Sequence, residues 1–431
     1  MVEILSPVGD FETLRAAIQA KADAVYFGIE GLNMRSGSAK NFKISDLKEI
    51  SEITKKEGVK TYLTLNTLVY QHELPRLKKI LEEVKKQKLN AIIASDFAVI
   101  NLAKSFGIDV HISTQASIAN SESAKFYSQF ASCLVLAREC SLKQIKEIKS
   151  DLLSEGLDTK IEVFVHGALC VAESGRCFMS QFHNRISANR GQCLQECRRL
   201  YKIVDLEEPR REFVLDYQYV MSPKDLCALP VLDKLLDSGV DVLKIEGRAK
   251  GPEYVYAVTK VYCEAVEAIN DNSFTKSKVL GWLEQLEEVY NRGFTTNFLL
   301  SVPTNDSWAN TYGSVAKKIK KRVGLISNYY KKVKIAEAII ENHDISVGDK
   351  ILITGPTTGV LYSEITSLMV DESSVETAKK AIVTFPLSDL VRKNDKLFIV
   401  LNNEVDPDEE KMKKYGIHEP FKTTKKSKGC N

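Results

Sequence analysis

Eight short apolar runs, rich in β-branched residues, recur along the first 250 positions: VEILS (2–6), DAVYFG (23–28), VKTYLTLN (59–66), NAIIAS (90–95), DVHIST (109–114), CLVLA (133–137), KIEVFVHG (160–167) and VDVLKIEG (240–247). Between most of them lies one amphipathic stretch, such as DFETLRAAIQAKA, KISDLKEISEITKKEG or ELPRLKKILEEVKKQK, with apolar residues at helical i, i+3, i+4 spacing. Gly58, Gly107 and Gly239 fall just past such stretches, where a helix stop belongs. A strand–helix unit repeated eight times predicts an α/β fold, a (β/α)8 TIM-like barrel. The competing arrangement is a doubly wound open sheet. It wants fewer strands and a phosphate-binding glycine turn after the first, of which SPVGDFET is a poor version.

One connection breaks the rhythm. Between Cys170 and Val240 only MSPKDLCALPVLDKLLDSG reads as helix. A long irregular excursion inside a compact domain is usually functional, and in a barrel the loops after the strands build the active site. After the eighth helix (GPEYVYAVTKVYCEAVEAI) another helical stretch covers 276–291. From Val323 the texture changes to short strands and turns, predicting a small antiparallel β-barrel. The expected organisation is a barrel over 1–300 with a cysteine-rich insertion at 170–220, a linker at 301–322, a C-terminal β-barrel at 323–403 and a polar tail at 404–431.

Composition narrows the class. With 44% hydrophobic and 27% charged residues in 431, the chain reads as an ordinary globular protein, long enough for one large and one smaller domain. No stretch approaches the length of a membrane span, and MVEILSPVGD lacks the basic and apolar regions of a secretory signal. Nine cysteines without such a signal predict a reducing, cytoplasmic setting rather than a disulfide framework. The net charge of +3 is unevenly placed, with 21 Lys+Arg against 16 Asp+Glu from Thr311 onward. Basic clusters lie at Lys317, Lys318, Lys320, Lys321 and Arg322, at Lys331, Lys332 and Lys334, and at Lys422, Lys425, Lys426 and Lys428. Such patches can contact phosphates or can form a solvated face.

Four cysteines, Cys170, Cys177, Cys193 and Cys197, crowd the start of the excursion with spacing C-x6-C-x15-C-x3-C. Structural zinc sites favour much closer pairs, whereas iron–sulfur clusters accept more varied spacings. Cys133, Cys140 and Cys263 sit in apolar patterns and read as core. Cys227, in SPKDLC, competes as a fourth ligand.

Other polar residues gather at the expected mouth. Asn66 ends the third strand, Ser113 and Gln115 the fifth, Arg138 and Glu139 follow the sixth, and His166 ends the seventh. Lys244 and Glu246 alternate inward together on the eighth strand, just before Arg248. An inward Lys–Glu pair is either a structural ion pair or a site for an anionic substrate. Arg35, in GLNMRSG after the second strand, adds a fork for a carboxylate or phosphate, with Lys224 and Asp225 of SPKDL beside it. Phe178, Phe182, Arg185, Arg190, Arg198, Arg199 and Tyr201 suit a flipped base and its phosphates.

The run EVFVHGALCVAESGRCFMS resembles the signature of peptidase family U32, as do ILSPVGDFETLRAAIQAKADAVYFGIEGLNMR, NRGQCLQECRRLY, MSPKDLC and VDVLKIEGR. The likeness covers about residues 1–300, and the later β segment is similar to that family's C-terminal barrel. It implies two activities. One is proteolysis of collagenase type. The other is oxygen-independent 5-hydroxylation of the wobble uridine of tRNA, with prephenate or another small anionic donor supplying the hydroxyl. Relatives bind 4Fe–4S clusters through matching cysteines, which marks Cys170, Cys177 and Cys193 as ligands. Cys197 is the fourth, with Cys227 as its alternative. HExxH and GxSxG are both absent, leaving His166 with Cys170 as the one base–nucleophile pair for a protease. The expected function is therefore a tRNA-modifying enzyme with a 4Fe–4S cluster, with His166, Lys244, Glu246 and Arg248 in catalysis. Arg35, Asn66, Gln115, Arg138, Lys224 and Asp225 are expected to bind substrate. The alternatives are a peptidase and an RNA- or partner-binding module with a structural cluster.

Overall fold

The structure, a computed structural model, describes residues 2–210, 212–214, 221–309, 311 and 313–403. The expected polar tail and the basic cluster at Lys422–Lys428 lie outside them. Seven parallel strands follow in order: β1 (Glu3–Pro7), β2 (Ala24–Phe27), β3 (Lys60–Leu65), β4 (Ala91–Ala94), β5 (Val110–Ile112), β6 (Cys133–Val135) and β7 (Lys160–Gly167). The excursion then contributes a hairpin, β8 (Lys202–Val204) with β9 (Glu212–Val214), and the short strand β10 (Asp225–Cys227). Strand β11 (Val242–Ile245) pairs in parallel with both β1 and β7, which closes an eight-stranded barrel.

Each outer helix earns its place by its apolar stripe. In Leu74–Gln87, Leu77, Ile80, Leu81 and Val84 recur at helical spacing and are the buried face. Asp10 accepts from the Thr13 amide at 2.9 Å and so starts Phe11–Gln19 at the mouth. The stops at Gly58, Gly107 and Gly239 adopt φ of +71°, +68° and +86°. The lumen holds Leu5, Tyr26, Tyr62, Ile93, Cys133 and Val242. Glu3, His111, Glu162 and Lys244 are buried among them.

Two segments differ from the sequence pattern. The start of MSPKDLCALPVLDKLLDSG is not helical. Its Asp225–Cys227 runs antiparallel to the end of β7, Leu226 against Gly167 and Cys227 against His166. Strand β12 (Phe294–Thr295) then pairs with β10. A 3-10 turn at Leu229–Val231 leads into the α-helix, which begins only at Leu232. The periodicity of the later residues had extended the reading over a strand made by long-range pairing.

The C-terminal region is an antiparallel sheet. Its strands are β13 (Lys318–Tyr330), β14 (Ile335–Ile340), β15 (Ile345–Ser346), β16 (Lys350–Gly355), β17 (Gly359–Glu364), β18 (Met369–Val370), β19 (Ser373–Ser374), β20 (Thr377–Ala378), β21 (Ile382–Pro386) and β22 (Lys396–Asn402). Eight of them order as β17-β16-β22-β13-β14-β21-β18-β19, while β15 and β20 form a separate pair. Val323, Ile326, Ile351, Ile353, Phe385 and Leu397 are part of its own core. Strand β13 begins inside the stretch that reads as a linker.

The basic run at the start of β13 docks this region on the barrel. Lys317 pairs with Glu287 at 2.6 Å, Lys318 with Glu288 at 2.5 Å and Lys320 with Glu253 at 2.6 Å. Arg322 pairs with Glu341, just past the end of β14, at 3.1 Å. Of the two readings the sequence left open for this run, phosphate contact or solvated face, the ion pairs fit the second: carboxylates pair with four of its five cations. Lys331, Lys332 and Lys334 remain exposed on the β13–β14 turn.

Candidate active site

The barrel mouth and the excursion enclose one cavity. Arg35, Asn66, Gln115, Arg138, Lys244, Glu246 and Arg248 line it, and so do Cys170, Cys177, Cys193 and Cys197. The excursion is held there by buried ties. Arg198 donates to the carbonyl of Leu169 at 2.7 Å, the Ser222 hydroxyl at 2.9 Å and the Pro223 carbonyl. One guanidinium thus joins both ends of the loop, so Arg198 is structural rather than an RNA contact. Gly191, at φ +82°, has its carbonyl bonded by the Gly37 amide at 3.0 Å. A Cβ there would lie 2.2 Å from the Asn33 carbonyl oxygen, so only glycine lets the loop approach this closely. Arg190 sits 4.8 Å from the Tyr70 ring centre and pairs with Glu73.

Four expected residues do not line the cavity. His166 is 2% exposed and faces Tyr262 and Phe294, with ring centres 5.7 and 5.4 Å away. Alternation from Glu162 and Phe164 puts it inward, but β7 is irregular here. Phe164 pairs with Lys244 and His166 with the very next residue, Ile245. The extra residue, Val165, turns His166 to the outer face. Burial drives its pKa down to about 3, so it is a neutral core histidine, out of reach of catalysis in the cavity. Cys227 is also buried; the Tyr262 hydroxyl donates to its sulfur at 3.9 Å, and burial raises the thiol to about 11. Asp225 is buried against Arg292 at 3.2 Å, and Lys224 precedes it on the same outer layer.

The expected Lys244–Glu246 pair is corrected as well. Lys244 pairs with Glu162, whose other oxygen lies 3.4 Å from His111 Nδ1. Glu246 accepts two bonds from Arg35, at 2.8 and 3.2 Å. Burial alone would raise the Glu246 pKa. Arg35, Arg138 and Arg248 outweigh it and hold the carboxyl at about 2. Glu162 is likewise held at about 2, with burial opposed by Lys244 and His111. Arg248 donates to Thr64 Oγ1 at 2.8 Å and Asn33 Oδ1 at 3.1 Å; burial lowers it to about 10. Arg138 donates to the Ala168 carbonyl at 3.2 Å, and its guanidinium lies 4.1 Å from the Phe164 ring centre. Among the described residues neither Arg138 nor Arg248 has a carboxylate partner at ion-pair distance. The cavity floor therefore carries excess positive charge.

The thiols suit a metal centre. Cys177 Sγ accepts from the Met179 amide and Cys193 Sγ from the Gln195 amide, both at 3.4 Å. Burial raises Cys197 to about 11; Arg198 opposes this, and Cys170, Cys193 and Cys177 add to it, so the four sulfurs feel one another. Four thiolates around zinc at about 2.3 Å would lie about 3.8 Å apart. No three of these sulfurs lie within 4.8 Å of one another.

Sequence reasoning missed the lumen group His111, Cys133 and Glu162, whose ligand atoms do lie within 4.8 Å of one another. The available signal was Glu162 itself, a carboxylate in the middle of an apolar strand. Tyr26 was also missed. Its ring lies 4.5 Å from the Lys244 ammonium, and its hydroxyl donates to the Ile245 carbonyl at 2.7 Å.

Barrel and site together define an α/β-barrel protein with a thiol-lined, cationic mouth. The family model for peptidase family U32 matches residues 9–309, and the chain belongs to that family. A protein named collagenase from Porphyromonas gingivalis is 43% identical, over 92% of this chain and 97% of its own length. The tRNA hydroxylation protein P1 of Bacillus subtilis is 33% identical, over 82% of this chain and 83% of its own. A 23S rRNA 5-hydroxycytidine synthase of Escherichia coli is 34% identical over 69% of this chain but only 45% of its own length. No helix among the described residues is long and apolar enough to cross a membrane.

Proposed function

We propose that this protein hydroxylates C5 of the wobble uridine of tRNA without molecular oxygen. In this reading Cys170, Cys177, Cys193 and Cys197 hold a 4Fe–4S cluster, and the hydroxyl comes from prephenate or another small anionic donor. One observation carries the reading: a single cavity joins four thiols to a floor with two guanidiniums that, among the described residues, have no carboxylate at ion-pair distance. RNA hydroxylation by named relatives supports the substrate class.

When bound, such a cluster supplies an electron carrier or a Lewis-acid site. The chain's own residues bind and orient. Arg138 and Arg248 take the carboxylates of the donor. Glu246, ionised at neutral pH, keeps Arg35 aligned toward the same space. Lys244 presents an ammonium held by Glu162. Asn66 donates to Gln115 Oε1 at 3.1 Å and accepts from the Met34 amide at 3.2 Å, so both amides are fixed in orientation for hydrogen bonding.

Peptide hydrolysis finds less support. No histidine lines the cavity, and a carboxyl at about 2 is a poor general base at neutral pH. The peptidase reading rests on the family's name and on the names of three relatives, two collagenases and an uncharacterised protease, 43%, 38% and 40% identical. Nucleoside mass spectrometry of tRNA tests the choice in a strain lacking this gene and any paralogue. Loss of 5-hydroxyuridine derivatives, restored by the wild-type gene, is expected. Unchanged nucleosides, with gelatin cleavage by the purified holoprotein, would establish the peptidase instead.

A further inference from the structure

We propose that Phe178 and Phe182 form a stacking platform for unpaired RNA bases at the entrance of the cavity. The inference rests on the RNA-modifying function above and names how the target strand is held. Phe182 is 83% exposed and Phe178 57%. Their ring centres are 6.3 Å apart with planes inclined at 50°. Both belong to the segment that directly follows Cys177, a thiol that lines the cavity. The Met179 amide that donates to Cys177 lies between them in sequence, so the backbone that carries the rings is tied to that sulfur. Leu194, also exposed, adjoins the same short helix through a 3.1 Å bond from its amide to the Ser180 hydroxyl.

Leaving two phenyl rings in water is unfavourable, and a patch like this calls for a partner. Charge indicates which one. Residues 176–185 carry Arg176 and Arg185, both exposed, and no carboxylate. Phenyl faces with flanking guanidiniums suit bases with flanking phosphates. Every base has a π-face, and loop bases in RNA are already splayed out of a duplex. A base that enters the cavity must leave its stack, and its neighbours then lose a stacking partner. The rings replace it at the threshold.

The test uses the full-length holoprotein and fluorescence anisotropy with two labelled probes: an RNA stem–loop with an unpaired pyrimidine loop, and a fully paired duplex of the same length. Phe178→Ala with Phe182→Ala is expected to weaken stem–loop binding by about tenfold or more. Duplex binding and the salt dependence should stay the same. Phe178→Trp with Phe182→Trp should retain affinity. Phe182→Ala alone, with iron content and circular dichroism matching wild type, guards against misfolding and should show part of the loss. Stem–loop affinity within about twofold of wild type in these folded variants would overturn the platform, since a stacked base contributes more than that. Unchanged RNA affinity together with conversion of a dimer to a monomer would overturn it in favour of a second copy of this chain. If wild type hydroxylates tRNA while the alanine variants bind normally, the platform falls and the proposed function stands. Absence of hydroxylation by wild type removes the proposed function, whatever the anisotropy shows.

Discussion

Cys193→Ala is expected to remove iron from the barrel mouth and abolish RNA hydroxylation, while Cys227→Ala leaves both unchanged. Cys193 lines the cavity, and its sulfur already accepts the Gln195 amide. Alanine offers no donor there, and among the described residues no thiol other than the four lines the cavity to replace it. The same loss is expected for Cys170, Cys177 and Cys197. Cys227 faces Tyr262 on the outside of the barrel, so its removal should cost only packing. Iron and acid-labile sulfide, measured per chain after anaerobic purification, separate the two cases without an activity assay. Equal iron in Cys193→Ala and wild type would contradict the assignment.

The second large effect concerns folding. Glu162 is fully buried between Lys244 and His111. Glu162→Gln strands the Lys244 ammonium in the lumen, and breaking a buried pair this way costs on the order of 3–5 kcal/mol. Adding Lys244→Met should recover much of the loss, because a neutral apolar pair no longer needs a counter-charge. Urea unfolding of the single and double variants measures both. The pH dependence has a definite sign. Glu162 and Glu246 fold with pKa values held at about 2, below the ordinary 4.5. Their stabilisation is therefore present above about pH 4.5 and is lost as pH falls through about 2. Glu162→Gln should show a shallower acid loss in that window. An acid profile identical to wild type would exclude Glu162 as a source of that stability.

The barrel was legible because strand and helix periods alternate without a gap from β1 to β7, and patterns set by local burial can be read locally. The cysteines were legible because a thiol-rich loop after a barrel strand has few bland explanations. Inward and outward placement failed at one point. Counting by twos along KIEVFVHG puts His166 beside Glu162, and no residue type announces the extra position at Val165 that reverses it. Pairing across the lumen failed for a related reason. Lys244 and Glu246 share a face of one strand, but the geometry of the closed sheet, not sequence proximity, gives Lys244 to Glu162 and Glu246 to Arg35. The role of the basic run at Lys317–Arg322 stayed open between a phosphate surface and a solvated face because its partners, Glu253, Glu287, Glu288 and Glu341, lie elsewhere in the chain.

The most direct test of the account is the metal content of the full-length protein purified without oxygen. A brown protein with about four iron and four sulfide per chain, lost together in each of Cys170→Ala, Cys177→Ala, Cys193→Ala and Cys197→Ala, is the predicted result. Stoichiometric zinc, or iron that survives all four substitutions, would contradict it.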